Sequence, residues 1–190
     1  MNLPRLGLVG LVSAVVGTLL DRIHTSFDVL RYAHPCFFGE SCWTPLVMAG
    51  AGVALVLTHG TYRRRFGQAA TGSLREVVVT GTGFGAAYLA SGLFQASPLG
   101  LLVGYSVVAI PWVVLDGRPA RGATVVTAMV VGVVAELCLT RAGFFEYVHP
   151  DALGVTYWIG GLYWFAGLAG AAVENAWPVV TGSGRAPLDA

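Results

Sequence analysis

The chain has 190 residues, of which 55% are hydrophobic and 11% are charged, and its formal net charge is +1. Together with a mean hydropathy of +0.70, this composition excludes an ordinary soluble globular domain. The near-zero charge also argues against a basic face for nucleic acid. We therefore predict an all-α, polytopic membrane protein.

Six apolar stretches each approach the ~20 residues that a helix needs to cross a hydrocarbon core of ~30 Å. The first follows a short basic start without an A-x-A cleavage site, so we interpret it as a span and not as a signal peptide. We expect one six-helix domain over residues 1–177 and a short flexible cytoplasmic tail over residues 178–190. The predicted spans are Leu6–Leu20, Pro45–His59, Val77–Phe94, Pro98–Leu115, Gly122–Thr140 and Val155–Trp177.

The basic residues are all arginines, and most of them fall on one side of the predicted spans. By the positive-inside rule the arginine-rich side is cytoplasmic, so both termini are predicted to be cytoplasmic. The arginine-rich side carries Arg5, Arg63, Arg64, Arg65, Arg75, Arg118, Arg121 and Arg185, whereas the other side carries Arg22, Arg31 and Arg141.

The three cysteines indicate little about function. Cys36 and Cys42 flank a short turn in the first extracytoplasmic loop, and Cys138 lies near the end of the fifth span. The first two either form a disulfide in an oxidising compartment or remain free thiols. None of the spacings is that of a zinc site, and we expect neither a metal nor a cofactor.

Spans three and four are predicted to form a tight antiparallel hairpin, because the link Gln95–Ser97 is very short. Gly81 and Gly85 form a G-x-x-x-G face, as do Gly100 and Gly104 on the next span. Such faces either let helix backbones approach or, where no partner approaches, leave a cavity. No internal repeat is evident in the sequence, so a transporter built from inverted repeats gains no support.

Acidic residues within the spans need a reason, because burying a charge in a bilayer is unfavourable. Glu136 either extends toward Arg141 and water or faces an internal pocket as a hydrogen-bonding group. Glu174 lies near the cytoplasmic end of span six, where we expect a structural salt bridge with Arg118 or Arg121.

Four segments of the chain stand out together by their order and spacing. They are Trp43-Thr44-Pro45, Tyr62-Arg63-Arg64-Arg65-Phe66-Gly67, Trp112-Val113-Val114-Leu115-Asp116-Gly117-Arg118, and Gly143-Phe144-Phe145-Glu146-Tyr147-Val148-His149-Pro150-Asp151 followed by Trp158. With these segments the chain resembles the Insig family of sterol-responsive membrane proteins over roughly residues 5–175.

This resemblance implies a six-helix protein of the endoplasmic reticulum with both ends in the cytoplasm. Insig proteins bind oxysterols, retain the escort protein Scap and promote degradation of a sterol-synthesis reductase, so they are adaptors and not enzymes. Asp116 occupies the position of the family aspartate that partner binding requires. Alternatively, it caps its helix or pairs with Arg118.

The chain also departs from the family. It is shorter, it lacks the longer polar tails, and its lack of lysine together with abundant glycine, alanine, valine and arginine suggests a GC-rich bacterial genome. We expect a bacterial inner membrane, or the endoplasmic reticulum if the protein is eukaryotic. Because a bacterium has no Scap, the sterol-regulatory role cannot be transferred, and the protein partner is unknown.

We predict a non-catalytic protein that binds a sterol-like or diacylglycerol-like lipid in a cavity lined by spans one, three, four and five. The glycine-rich faces beside polar side chains favour this prediction. The chain is also expected to form a homo-oligomer, with a trimer as the specific expectation. The predicted ligand-binding residues are Thr80, Tyr88, Ser91, Tyr105, Ser106, Thr127 and Glu136.

Two other function classes stay open. A small transporter or flippase needs an ionisable relay across the membrane midplane, whereas the middle thirds of the spans carry no charged residue. A lipid-modifying enzyme would use His24, Asp28, His149 and Asp151, which lie at helix ends on the same side of the membrane.

Overall fold

The computed structural model describes residues 3–180, and side chains over residues 3–177. Each predicted span coincides with one helix, which confirms the all-α, six-helix prediction. The sixth helix begins four residues later than predicted, because residues 155–158 form a turn, and it extends three residues into the predicted tail. Residues 181–190 lie outside the described part of the chain. The elements are α1 (Leu3–Ser26), β1 (Leu30–Tyr32), α2 (Thr44–Arg65), α3 (Leu74–Leu93), α4 (Pro98–Asp116), α5 (Pro119–Arg141), β2 (Phe145–Tyr147) and α6 (Ile159–Val180).

Four of these helices, α1, α2, α4 and α5, are long and apolar enough to cross a membrane by length and composition. Helix α6 is not among these four, and it contains several glycines together with Glu174 and Asn175. It is also the central helix, since it packs against α2, α3, α4 and α5. A helix that is surrounded by other helices can carry polar groups that would be unfavourable next to lipid. The chain is thus a multi-pass membrane protein.

Both ends of the described chain lie at the same end of the bundle. In α1, Arg5 donates from Nη2 to the backbone oxygen of Glu174 in α6 at 3.3 Å. The guanidinium of Arg5 also lies 4.8 Å from the ring centre of Trp177. We call this the arginine-rich end and the opposite one, which carries β1 and β2, the sheet end. An even number of spans requires this arrangement.

A two-stranded antiparallel sheet joins the loop after α1 to the loop after α5. Its register pairs Leu30 with Tyr147 and Tyr32 with Phe145. The pairing continues on both sides, because the N–H of Ala33 and the N–H of Val148 donate to carbonyls of the opposite loop at 3.1 and 3.0 Å. This sheet was not predicted from the sequence, and it ties together two loops that are distant in the chain.

The structure contains an internal repeat, so the expectation of no repeat was wrong. A shift of 115 residues carries Ser26 to Arg141 and Thr44 to Ile159, and therefore places α1 on α5, β1 on β2 and α2 on α6. Both copies run in the same direction through the bundle. Uncommon backbone conformations repeat at the same shift, with φ of 54° and 74° at Asp28 and Gly143, 49° and 55° at Phe38 and Leu153, and 84° and 87° at Gly39 and Gly154.

Close helix contacts also repeat at the same shift. In the first copy, a side chain added at Gly17 would collide with Met48, and in the second copy one added at Gly132 would collide with the ring of Tyr163. Both contacts allow the two helices of a copy to approach closely. The small residues that face Gly52 and Gly167 are likewise related by this shift.

The two equivalent loops are closed by different chemistry. In the first loop Cys36 and Cys42 form a disulfide with a Cα–Cα distance of 5.4 Å. In the second loop the equivalent positions are Asp151 and Tyr157, and the backbone N–H of Tyr157 donates to the Asp151 carboxylate at 2.9 Å. A covalent bond in one copy and a hydrogen bond in the other therefore close the same turn.

Helices α3 and α4 lie outside the repeat and break its symmetry. Helix α3 packs between α1 and α6, and α4 packs mainly against α6. The two helices contact each other little beyond the link at residues 95–97, so the predicted tight hairpin was wrong. Their separation leaves space between them.

Candidate functional site

A cavity of about 510 Å³ lies between α3, α4 and α6. Its walls are small residues of α3 and α4 together with Phe165 of α6. The prediction that spans one and five line this cavity was wrong, whereas spans three and four do line it. Helix α1 is kept away because α3 packs between it and α6, and α5 packs on the other side of the bundle against α2 and α6.

Glycines, which have no side chain, create much of this space. No heavy atom lies within 4 Å of the position that a side chain would occupy at Gly104. Gly83 and Gly100 line the same cavity, and a Cβ atom added at Gly83 would lie 3.7 Å from its nearest neighbour, a ring atom of Phe165. A glycine face was expected either to let two helices approach or to leave a cavity. The face of Gly100 and Gly104 leaves a cavity.

The cavity opens sideways through the outer surface of the bundle. The lining residues Phe94, Gly104 and Val108 are exposed, with Phe94 at 59%. In a membrane this surface faces lipid. The polar groups in the lining are Ser97 and Tyr105, and the Tyr105 hydroxyl donates to the carbonyl of Ala87.

Of the seven predicted ligand-binding residues, Tyr105 lines this cavity. Three others use their hydroxyls in hydrogen bonds within the bundle. Thr80 donates to the carbonyl of Glu76 and Ser106 to that of Leu102, both at 2.8 Å. Thr127 shares a hydrogen bond of 2.9 Å with Tyr62. Hydroxyls of serine and threonine in helices commonly bond to the preceding turn in this way.

Tyr88 and Ser91 instead face α1 on the other side of α3. The ring of Tyr88 lies 4.6 Å from that of His24, and Nε2 of His24 is 2.8 Å from the Ser91 hydroxyl. His24 and Ser91 are almost fully buried. This contact between α1 and α3 gives these residues a structural role that the sequence pattern did not indicate.

Glu136, the seventh predicted residue, is a hydrogen-bonding group of the sheet end. Its carboxylate accepts hydrogen bonds from Tyr147 at 3.0 Å and from Tyr163 at 2.6 Å. In the first repeat the equivalent pair is Asp21 with Tyr32. Burial raises the pKa of both Tyr32 and Tyr147 above the usual value, so both hydroxyls stay protonated as donors. Each repeat thus ties its strand to its first helix.

Asp116, the predicted partner-binding residue, belongs to an ion cluster at the arginine-rich end. Its Oδ1 lies 2.6 Å from Nη2 of Arg118 and 3.0 Å from Nη1 of Arg121. Both arginines also contact Glu76. The structure therefore confirms the pairing with Arg118, and the role in partner binding stays a prediction.

Glu174 pairs with different arginines from those expected. Its carboxylate accepts from Nε and Nη2 of Arg63 at 3.0 and 3.1 Å, and Arg5 lies 3.8 Å away. The expected salt bridge with Arg118 or Arg121 was wrong, because the end of α6 lies beside α1 and α2.

Three of the four residues of the enzyme alternative are used elsewhere, and the four do not form a metal-binding group. His24 is bonded to Ser91, Asp28 pairs with Arg31 at 3.2 Å, and Asp151 closes its own loop. Over residues 3–180, no three His, Cys, Asp or Glu side chains come together in a way that could hold a metal ion.

No protein-family model matches the chain, and no curated protein matches it by sequence. Two solved structures do match it. One is MvINS, an Insig homologue from Mycobacterium vanbaalenii, with 21% identity, coverage of 92% of this chain and 94% of that chain, and a TM-score of 0.76. The other is a cross-linked trimer of a cysteine variant of MvINS, with 20% identity, 99% coverage of both chains and a TM-score of 0.78. The chain therefore has the fold of a bacterial Insig homologue, which confirms the Insig resemblance predicted from its loops.

Proposed function

We propose that this Insig-like membrane protein binds one amphipathic lipid in the cavity between α3, α4 and α6 and acts as a binding protein, not as an enzyme. The cavity is the observation that carries this proposal. Its volume of about 510 Å³ falls within the range of ~300–1,000 Å³ that small-molecule sites usually have. Its sideways opening gives a lipid a route from the bilayer, and the arginine-rich end is placed in the cytoplasm by the positive-inside rule.

The lining limits the kind of lipid. Burying acyl chains contributes little net free energy when the lipid moves from a bilayer into an apolar cavity, so selectivity must come from shape and a few hydrogen bonds. Ser97 and Tyr105 supply the polar atoms of the lining. A lipid with a small hydroxyl head, sterol-like or diacylglycerol-like, suits this lining better than a lipid with a charged head.

Lipid analysis of the purified protein tests the proposal. Lipids that remain bound after detergent washing are extracted and identified by mass spectrometry. We expect a neutral, hydroxyl-bearing lipid class to be enriched far above its share of the host membrane. Retention of bulk phospholipids in their membrane proportions would refute the proposal.

Filling the cavity should remove the bound lipid. In Gly104→Leu the new side chain enters empty space, since nothing lies within 4 Å of its β position. We expect the amount of co-purified neutral lipid to fall by about tenfold, because ~1.4 kcal/mol of lost contact suffices for that factor. Gly50→Leu on α2 is the matched control, because Gly50 also has open space at its β position and does not line the cavity. An equal loss in both variants would contradict the assignment of the lipid to this cavity.

We also propose that the protein assembles as a homotrimer. The cross-linked MvINS trimer, which covers 99% of this chain, supports this assembly. Native mass spectrometry from nanodiscs should give three copies per particle, and a monomer would contradict the proposal.

A further inference from the structure

A second site lies at the sheet end, on the outer side of α1 and away from the cavity between α3 and α4. It is a groove of about 300 Å³ between α1, the first loop and the start of α2. Ala14 and Leu19 form its apolar wall on α1, with Phe37 and Pro45 opposite. The neighbouring outer surface of α1 is apolar and exposed, as lipid-facing surfaces are, with Val15 at 54% and Leu19 at 61%.

One carboxylate in this groove has no partner. Glu40 is 1% exposed, and neither of its carboxylate oxygens has a hydrogen-bond partner. The hydroxyl of Thr18, which also lines the groove, is equally without a partner. Buried polar groups are normally hydrogen-bonded, since burying a carboxylate without a hydrogen-bond partner is energetically unfavourable. A donor that is not part of the protein would satisfy both groups.

Arg22 is a cation near the Glu40 carboxylate, but it forms no hydrogen bond with it. Arg22 lines the same groove, and its guanidinium lies 3.9 Å from the ring centre of Phe38. It acts on Glu40 through space, because no hydrogen bond reaches the Glu40 oxygens. The groove therefore presents a separate positive and a separate negative group.

The second repeat shows that the fold does not need these polar groups. At the shift of 115 residues that relates Thr44 to Ile159, Thr18, Arg22 and Glu40 correspond to Val133, Leu137 and Val155. The second copy builds the same helix, turn and strand with apolar side chains at these positions. The three polar groups of the first copy thus point to a ligand and not to a requirement of the fold.

The protonation of Glu40 is also sensitive to what occupies the groove. Burial first and the nearby charge of Asp21 second raise the pKa of Glu40, Arg22 opposes both, and the result is a pKa of about 7. A cationic group placed against the carboxylate would favour its charged form.

We infer that this groove binds the head of a phospholipid that carries a primary ammonium group, as in an ethanolamine head. The ammonium donates hydrogen bonds to the Glu40 carboxylate, and the phosphate lies beside Arg22. The acyl chains follow the apolar surface of α1 past Leu19 and Val15. A primary ammonium has three donors, whereas the trimethylated ammonium of a choline head has none.

Lipid titrations followed by native mass spectrometry test this inference. The protein in detergent is titrated with phosphatidylethanolamine, phosphatidylcholine and phosphatidylglycerol, which share acyl chains. We expect the ethanolamine lipid to bind at least tenfold more tightly than the other two, because a hydrogen bond to a charged group contributes this much. In Glu40→Gln the preference should disappear. The triple variant Thr18→Val, Arg22→Leu and Glu40→Val, which carries the residues of the second repeat, should lose it as well.

Glu146→Gln is the control, because Glu146 is an exposed carboxylate at the same end of the bundle and should leave the preference unchanged. Equal binding of the three lipids by the unmodified protein would overturn the inference. A preference that survives in Glu40→Gln would also overturn it. If Glu40→Gln alters the oligomeric state without altering lipid preference, the groove belongs to an interface between copies, and the inference is wrong.

Discussion

Replacing Glu174 by alanine is expected to lower the free energy of unfolding by about 3 kcal/mol, because it leaves guanidinium groups without the carboxylate that neutralises them. Glu174 is 3% exposed. Arg63 contacts it through two nitrogens, at 3.0 and 3.1 Å, and Arg5 lies 3.8 Å away. This network joins α1, α2 and α6 at the arginine-rich end, so its loss should loosen the contact between the two repeats.

Unfolding by sodium dodecyl sulfate, followed by tryptophan fluorescence, measures this effect. Glu146→Ala is the matched control, because Glu146 is exposed and its removal should cost under ~1 kcal/mol. The double variant of Glu174 and Arg63 should be less destabilised than the sum of the single variants, since the two residues interact directly. If Glu174→Ala is no less stable than Glu146→Ala, the network does not stabilise the bundle.

Trp158→Ala is expected to have a similar effect, about 3 kcal/mol, at the sheet end. The Trp158 side chain is fully buried, and its ring lies 5.6 Å from that of His24 and 6.3 Å from that of Tyr147. Removing the indole leaves a cavity among α1, β2 and α6. The cost arises mainly from lost packing contacts, because in a membrane protein the transfer of apolar surface contributes less.

The first repeat supplies the matched variant. Trp43 is the equivalent of Trp158, but it is only partly buried and packs against Tyr32 and Phe144, with ring centres 5.4 and 5.6 Å apart. Trp43→Ala should therefore cost about half as much in the same denaturation assay. Equal costs for the two variants would show that the second repeat is not the more tightly packed one.

Hydropathy and arginine placement were sufficient to predict the number of helices and their shared ends. These features act locally, since a span must be long and apolar wherever it packs. The start of α6 was placed too early because residues 155–158 are apolar and aromatic, yet they form the turn before the helix. Hydropathy cannot distinguish an apolar turn from an apolar helix end.

The internal repeat leaves a signature in the sequence of its two loops. Tyr, His, Pro, Gly and Trp recur with one spacing, as Tyr32, His34, Pro35, Gly39 and Trp43 and again as Tyr147, His149, Pro150, Gly154 and Trp158. The helices conceal the relation, because small and aliphatic residues replace each other freely where packing volume is conserved. The three-residue strands are too short for an alternating pattern to reveal them.

The candidate cavity was only partly predictable. The glycines of α4 indicated open space, and the structure places Gly104 at that space. Which helices enclose it depends on α3 packing between α1 and α6, a tertiary arrangement that no local pattern contains. Three of the predicted contact hydroxyls, those of Thr80, Ser91 and Ser106, are already bonded to the preceding helical turn.

Photolabelling tests the proposed lipid site most directly. Diacylglycerol and sterol analogues with a diazirine in the hydrocarbon part are irradiated with the protein in nanodiscs, and the labelled peptides are identified by mass spectrometry. We predict labels concentrated at residues 83–108 and at Phe165, and a strong decrease of these labels in Gly104→Leu. Labels spread evenly over the lipid-facing surfaces of α1, α2 and α5, and unchanged in Gly104→Leu, would contradict it.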